Sequence, residues 1–125
     1  MVTVIRSSSA QRFDLPGVRF TALAAPSRGS AEICAWTIRV APGLRSPEPH
    51  YLDRDEVFMV TAGAIQLTVD GEVVGAGDVA VVPAGTPIQL TNPGQDQAEA
   101  VVMVRSGFVA TAADGSSIGT PPWAT

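Results

Sequence analysis

Two stretches of this 125-residue chain decide its fold. Residues 42–71 read PGLRSPEPHYLDRDEVFMVTAGAIQLTVDG, and residues 77–92 read GDVAVVPAGTPIQLTN. Both combine short runs of Val, Ile and Leu with glycine and proline, the residues that mark turns. In the first stretch six residues separate Glu56 from Gly63. In the second, a glycine, a Pro-x-Gly turn and an asparagine follow at fixed gaps, at Gly77, Pro83, Gly85 and Asn92. Both stretches therefore predict short strands joined by tight turns.

The rest of the chain predicts more strands of this kind, so the sequence indicates an all-β protein. With 12 Gly and 10 Pro spread along the chain, few windows can hold an ordinary helix. Short segments rich in Val, Ile and Thr predict strands at 18–23, 33–40, 57–60, 64–69, 72–74, 79–82, 88–91 and 98–105.

Alternation within two of these segments predicts which side chains form the core. One expected core face carries Cys34, Trp36, Ile38 and Val40, and another carries Ile65, Leu67 and Val69. Asp70-Gly71 follows directly, and this dipeptide favours a type I′ hairpin turn because both central residues need positive φ. We therefore expect 64–69 to pair antiparallel with 72–74.

Composition limits the chemistry that one chain can perform. There is no Lys, one His and one Cys. The missing Lys excludes Schiff-base and pyridoxal-phosphate enzymes and a Walker A loop, and the single Cys excludes an internal disulfide or a zinc ribbon. The net charge of −4 provides no basic face, so we expect no nucleic-acid partner.

The length and the chain ends predict one domain, residues 1–125, with a tail at 113–125 rich in Gly, Ser, Pro and Thr. We expect Trp123 to pack this tail onto the protein or onto a partner chain. The first ten residues lack the apolar region of a signal peptide, and no apolar run is long enough to span a membrane. We therefore expect a cytoplasmic protein with no membrane partner, and one Cys agrees with a reducing compartment.

The two stretches resemble the paired motifs of the cupin superfamily, the first at about 43–63 and the second at about 77–92. The resemblance covers roughly residues 40 to 105. It implies an antiparallel jelly-roll barrel, also called a double-stranded β-helix, with a pocket lined by inward residues of both motifs. It also implies a homodimer, with sheet edges or exchanged N-terminal strands as common contacts.

The chain departs from the cupin pattern at the metal-ligand positions. Cupins usually hold a divalent metal with two His and a Glu from the first motif and a His from the second. Here these positions carry His50, Leu52, Glu56 and Ile88. Catalytic zinc normally takes three protein ligands, and the non-haem iron triad takes two His and a carboxylate. His50 and Glu56 alone fall short, so we expect no cofactor, with a divalent metal on these two residues as the alternative.

The resemblance also implies that His50, Glu56 and four apolar residues point into the barrel: Leu52, Phe58, Ile88 and Leu90. We expect three further residues to line the pocket, Trp36 and Ile38 on the alternating strand and Met103. A carboxylate among such neighbours should have a raised pKa, and beside an imidazole it could act as a general acid or base. His50 and Glu56 are therefore the candidate catalytic residues, acting on a small, largely apolar organic molecule. Metal-free cupins of this kind include epimerases and cyclases.

Three other interpretations stay open from the sequence. His50 and Glu56 could form a buried hydrogen bond with only a structural role. The barrel could bind an apolar ligand without catalysis. A metal-dependent dioxygenase or lyase could work with the reduced ligand set.

Overall fold

The computed structural model describes residues 1–125 and contains eleven short β-strands and two single-turn 3-10 helices. The helices are Pro26–Arg28 and Pro122–Ala124. The strands are β1 Arg12–Leu15, β2 Val18–Ala24, β3 Ile33–Val40, β4 His50–Leu52, β5 Glu56–Ala62, β6 Ala64–Ile65, β7 Val74–Gly75, β8 Val79–Val82, β9 Ala98–Arg105, β10 Ala110–Ala112 and β11 Ser117–Gly119.

A six-stranded antiparallel sheet forms one wall of the fold. Its strand order is β1-β2-β3-β9-β5-β8, so β9 lies between β3 and β5. Val102 of β9 pairs with Trp36 on one side and with Phe58 on the other. All three side chains are buried, which shows that this row of the sheet faces the core.

The opposite wall is built from shorter pairings. β10 lies between β11 and β4, and β4 continues to residue 88 through the bridge between His50 and Ile88. A second bridge, Gln66 to Thr91, joins that segment to the chain that follows β6. Buried residues of both walls form one apolar core. The structure confirms the predicted all-β jelly roll with antiparallel pairing.

The alternation in β3 is observed as predicted, since Cys34, Trp36, Ile38 and Val40 are all buried. Strands β3, β8 and β9 have the predicted bounds. Strands β1, β4, β10 and β11 were not predicted. The segment 88–91 forms only isolated bridges and no continuous strand.

The predicted hairpin at Asp70-Gly71 is only partly correct. Residues 64–65 do pair antiparallel with 74–75, but the chain between them forms a wide loop, and Val69 is exposed. Asp70 alone has positive φ, at 58°, and the Gly71 amide donates to the Thr68 carbonyl at 3.0 Å. The turn therefore spans 68–71 and is not type I′, because that type needs two consecutive residues of positive φ.

Gly63 shows why the first motif needs a glycine after Glu56. Its φ is 67°, and a Cβ there would lie 2.8 Å from the Gln97 carbonyl oxygen. Any side chain would be strained by the backbone conformation and would clash with the neighbouring strand.

The C-terminal tail packs on its own chain, as predicted for Trp123. The indole ring stacks on Phe20, with ring centroids 3.8 Å apart. Next to it, the Cys34 thiol lies 3.4 Å from the Ala124 carbonyl oxygen. No helix of the structure has the length and apolar character needed to cross a membrane.

Asn92, the last residue of the second motif, forms hydrogen bonds to three backbone groups, one in β3 and two in the loop that directly follows Asn92. Its amide nitrogen donates to the carbonyls of Val40 and Asp96, at 3.1 and 2.9 Å. Its side-chain oxygen accepts from the Gly94 amide at 3.0 Å. The residue is 1% exposed, so water cannot replace these bonds.

We expect Asn92→Ala to lower the free energy of unfolding by about 2–3 kcal/mol, because three buried backbone groups lose their partner. Urea denaturation would measure the loss. The exposed neighbour Gln95 provides the control, and Gln95→Ala should change stability by less than about 0.5 kcal/mol. Equal changes in the free energy of unfolding for the two substitutions would show that the hydrogen bonds of Asn92 do not stabilise the fold.

Candidate functional site

Glu56 is the first residue of β5 and its side chain enters the protein interior. It pairs with Val82 of β8 and with Val104 of β9, and both valines are buried. Glu56 itself is 4% exposed. Since directly paired residues of antiparallel strands project to the same side, the carboxyl group lies among aliphatic neighbours.

The carboxyl group of Glu56 has no full set of polar partners. Its Oε1 atom is buried without any hydrogen bond. Burial raises the pKa of Glu56 from its ordinary value of 4.5 to about 7, because an apolar surrounding disfavours the charged form. Glu56 and Asn92 are the only buried polar residues, and the amide of Asn92 is used in the backbone bonds described above.

The three residues before Glu56 explain why this carboxylate turns inward. They anchor the crossing from β4 to β5 on the outside of the protein. Asp53 accepts from the Val109 amide at 2.8 Å, Arg54 donates to the Ser106 carbonyl at 2.7 Å, and Asp55 accepts from the Ala84 amide at 2.9 Å. Sequence reasoning missed these anchors, since none of them follows from strand periodicity.

His50 lies in β4, on the opposite wall from Glu56. Its backbone exchanges two hydrogen bonds with Ile88, at 2.9 and 2.7 Å, so both side chains project to the same side of their sheet. Ile88 is 2% exposed and His50 is half-buried. Burial lowers the pKa of His50, which favours a neutral imidazole. The structure has no hydrogen bond between His50 and Glu56, so the structural interpretation of the pair does not hold in that form.

Six of the seven residues predicted to line the pocket are buried in the interior: Trp36, Ile38, Leu52, Phe58, Ile88 and Leu90. The seventh, Met103, is a wrong prediction. It pairs with Ala35 and Val57, one position away from the inward row of Val102, and therefore lies on the outer face of the sheet.

A cleft of about 750 Å³ opens beside the site, between β8 and the loops of the opposite wall. Val82 and Ile88 belong to its lining, and these two residues also flank Glu56 and His50. The cleft contains the acidic residues Glu72 and Asp78 and no arginine. His50 and Glu56 do not line the cleft, and Val82 and Ile88 are the lining residues that pair with them.

The donor atoms at this site do not suit the metal of the usual cupin pattern. Leu52 and Ile88 place buried aliphatic side chains at two of the four ligand positions. No group of three or more His, Cys, Asp or Glu side chains in the structure could hold a metal ion. The set present is one imidazole and one carboxylate, below the usual three ligands.

Comparison with known proteins identifies the family. A family model described as the cupin domain matches residues 36–104, more than half of the chain. The chain belongs to the cupin family. No curated protein sequence matches this cupin.

Solved structures similar to this cupin differ widely in activity. A sugar phosphate isomerase of the cupin superfamily from Silicibacter pomeroyi is 25% identical, with a TM-score of 0.69, over 86% of this chain and 79% of that one. The polyketide cyclase RemF from Streptomyces resistomycificus is 14% identical, with a TM-score of 0.74, over 98% and 89%. A variant of an oxalate decarboxylase from Bacillus subtilis is 19% identical, with a TM-score of 0.71, over 85% and 30%. These similarities support the fold. The activity has to be inferred from the residues of the candidate site.

The raised pKa of Glu56 makes a prediction about stability. A carboxyl group that binds its proton more tightly in the folded state destabilises that state once it ionises. Glu56 should therefore not destabilise the folded state below pH 4.5. As the pH rises from about 4.5 to about 7, its ionisation should lower the free energy of unfolding. The total loss should be about 3 kcal/mol, and it should stay level above that range.

Urea denaturation of the wild type and Glu56→Gln, compared at each pH, would isolate this effect. His50 contributes in the opposite direction, because its lowered pKa costs stability as the pH falls, and the comparison cancels it. We expect Glu56→Gln to gain stability relative to the wild type with rising pH. A difference that stays constant from pH 4 to 8 would contradict the raised pKa.

Proposed function

We propose that this cupin is a metal-independent isomerase, epimerase or cyclase that works by general acid–base catalysis. Glu56 transfers the proton, and His50 is the second polar side chain that faces the interior. The observation that carries the proposal is the buried carboxyl group of Glu56, whose Oε1 lacks a hydrogen-bond partner and whose pKa of about 7 lies near physiological pH.

A group with this pKa is suited to both halves of a proton transfer. At neutral pH a substantial fraction of Glu56 is ionised and can remove a proton from a carbon beside a carbonyl group. The resulting carboxylic acid can return the proton to the same or another atom of the substrate. Such a reaction needs no external oxidant or reductant, and only the position of one proton changes.

The surroundings of Glu56 favour a neutral, largely apolar substrate. The interior is formed by aliphatic and aromatic side chains, and no arginine is buried there. The adjacent cleft has the carboxylates of Glu72 and Asp78 and no cation, so a phosphate group would meet like charge. A phosphorylated sugar therefore fits this site poorly.

The burial of Glu56 and the small number of donor atoms around it argue against the two alternative functions, a binding module and a metal-dependent enzyme. A purely ligand-binding cupin would retain an apolar interior without needing an ionisable group there, and burying one costs free energy. A metal-dependent dioxygenase or lyase would need more donor atoms than His50 and Glu56 provide.

A cytoplasmic location belongs to the same proposal, because the single cysteine, Cys34, is free.

The proposal predicts proton exchange at carbon. Purified protein would be incubated in D₂O with small neutral ketones and 1,3-diketones, and loss of the proton next to the carbonyl would be followed by NMR. We expect exchange above the buffer rate that increases as the pH rises through about 7. Glu56→Gln should reduce it by about 10²-fold or more, the usual contribution of a general base.

Glu72→Gln is the matched control, since it neutralises a carboxylate of the cleft and should leave the exchange rate nearly unchanged. A chelator should also leave it unchanged, and loss of exchange on chelation would support the metal-dependent alternative instead. If no compound exchanges, or if exchange continues in Glu56→Gln, the proposed acid–base function is wrong. Ligand-induced thermal stabilisation without exchange would then support the binding module.

A further inference from the structure

A cavity rich in hydrogen-bond donors lies on the outer face of the six-stranded sheet. Its volume is about 350 Å³, and its lining includes the serines at 7–8 in the N-terminal segment. Three of the eight arginines of the chain also line it, Arg12, Arg19 and Arg39. Glu99 contributes the only carboxylate of the lining, and the other polar lining residues are threonines. The cavity therefore suits a ligand that accepts hydrogen bonds.

The register of β2 and β3 places two arginines of this cavity directly opposite each other. Arg19 pairs with Arg39. Two positions further along each chain, the Ala41 amide donates to the Gly17 carbonyl at 2.9 Å. The arginine pair is therefore also of the hydrogen-bonded kind, with its Cα atoms about 5.5 Å apart. Like charges directly opposite each other destabilise an antiparallel pair, and a bound anion would remove this repulsion.

Each of the two arginines is held by a carboxylate of a neighbouring strand and still has free donor groups. Arg19 donates from Nε and Nη2 to the Asp14 carboxylate, at 2.9 and 3.3 Å, which leaves Nη1 without a partner. Arg39 donates from Nε to Glu99 at 2.9 Å, which leaves both terminal nitrogens without a partner. The two side chains are 43% and 52% exposed, so a ligand from solution can reach them.

Arg12 brings a third positive charge to the cavity. It pairs with Thr21 of β2, two residues from Arg19, so the two arginines are diagonal neighbours with Cα atoms about 7–8 Å apart. Arg12 forms no ion pair within the chain. Three arginines against the single carboxylate of Glu99 give the lining a net charge of +2, although the chain as a whole has a net charge of −4.

A phosphate group meets the requirements of this cavity. It carries up to two negative charges and at least three strong acceptor oxygens, and arginine binds such oxyanions through paired N–H donors. The serine and threonine hydroxyls of the lining can donate further hydrogen bonds. Asp14 and Glu99 limit the positive charge on both sides, so the cavity fits one phosphate group and not the repeating charge of a nucleic acid.

We propose that this cupin binds a phosphate group, free or as part of a small molecule or a lipid headgroup, in the cavity between Arg12, Arg19 and Arg39. The bound phosphate neutralises the two opposed arginines. It also joins the N-terminal segment to the sheet through the serines at 7–8.

The proposed phosphate site is separate from the candidate acid–base site. Glu99 pairs with Arg39 at the cavity, and Val104 pairs with Glu56 in the interior. Glu99 and Val104 are five positions apart on β9, so their side chains point to opposite faces of the sheet. A phosphate bound at the cavity does not contact Glu56, and its binding does not depend on the acid–base function.

Titration with inorganic phosphate at constant ionic strength, followed by ¹H–¹⁵N NMR with sodium chloride as the reference salt, tests the proposal. We expect saturable shifts of the amide signals of residues 7–8, 19 and 39, with a dissociation constant on the order of 1 mM or below. Arg12→Gln should raise that constant about tenfold or more, because hydrogen bonds to a charged group are lost. Arg105→Gln is the matched control, since Arg105 is an exposed arginine of the same face outside the cavity, and it should bind phosphate like the wild type.

Phosphatidylcholine vesicles that contain phosphatidic acid distinguish the sources of the phosphate. Co-sedimentation with these vesicles that Arg12→Gln abolishes would identify a lipid headgroup, and phosphate binding without vesicle binding would identify a free or small-molecule phosphate. Thermal melts would confirm that every variant is folded. Shifts that do not saturate, or equal weakening by Arg12→Gln and Arg105→Gln, would overturn the proposal. Loss of phosphate binding in folded Glu56→Gln would also overturn it, because that result would place the phosphate in the interior.

Discussion

The register of β9 against β3 and β5 is the constraint on which the rest of the structure depends. It aligns Val104 with Glu56 and Val102 with both Trp36 and Phe58. Because side chains alternate between the faces of a sheet, a shift of one residue would move Glu56 to the surface and bring the outer Met and Val residues inside. The same alignment therefore fixes the buried carboxyl group and the apolar outer face.

Burial of Glu56 has a cost that the apolar core must offset. In the ionised state the group loses hydration and gains no cation in return, so its pKa rises and the neutral form is favoured at acidic pH. The remaining polar groups near the site are arranged differently. Asp53, Arg54 and Asp55 all form hydrogen bonds to backbone atoms, and Asn92 is fully used. Glu56 Oε1 and the indole nitrogen of Trp123 are the two buried side-chain polar atoms without a hydrogen-bond partner. Of these two residues only Glu56 can titrate, and a buried, unpaired titratable group is where chemistry is to be expected.

Much of this arrangement could be predicted from the sequence, and the reason is strict alternation. In β3 and β9 the buried and outward residues alternate without interruption, so both bounds and facing could be read directly. That alternation also contained the signal that places Met103 outside with Val101, although we predicted that it lines the pocket. The motif spacing was equally informative, since it brought Glu56 and Ile88 to interior positions.

Other features depend on contacts between distant segments and could not be predicted from the sequence. Strands β4, β10 and β11 have three residues each, too few for a periodic pattern. The turn at Asp70 is wider than its dipeptide suggests because Gln66 pairs with Thr91 and not with the returning strand. The anchors at Asp53 and Asp55 join residues 56 and 29 positions apart.

The proposed chemistry depends on one property of the protein, a buried Glu56 carboxyl group that titrates near neutral pH. The most direct test is an NMR titration of its side-chain carboxyl carbon in protein labelled with ¹³C, with Glu56→Gln used to assign the resonance. A midpoint at about pH 7 is the predicted result. A midpoint near 4.5, the ordinary value for this side chain, would show that Glu56 is solvated or paired and is not the buried, unpaired acid–base group described above.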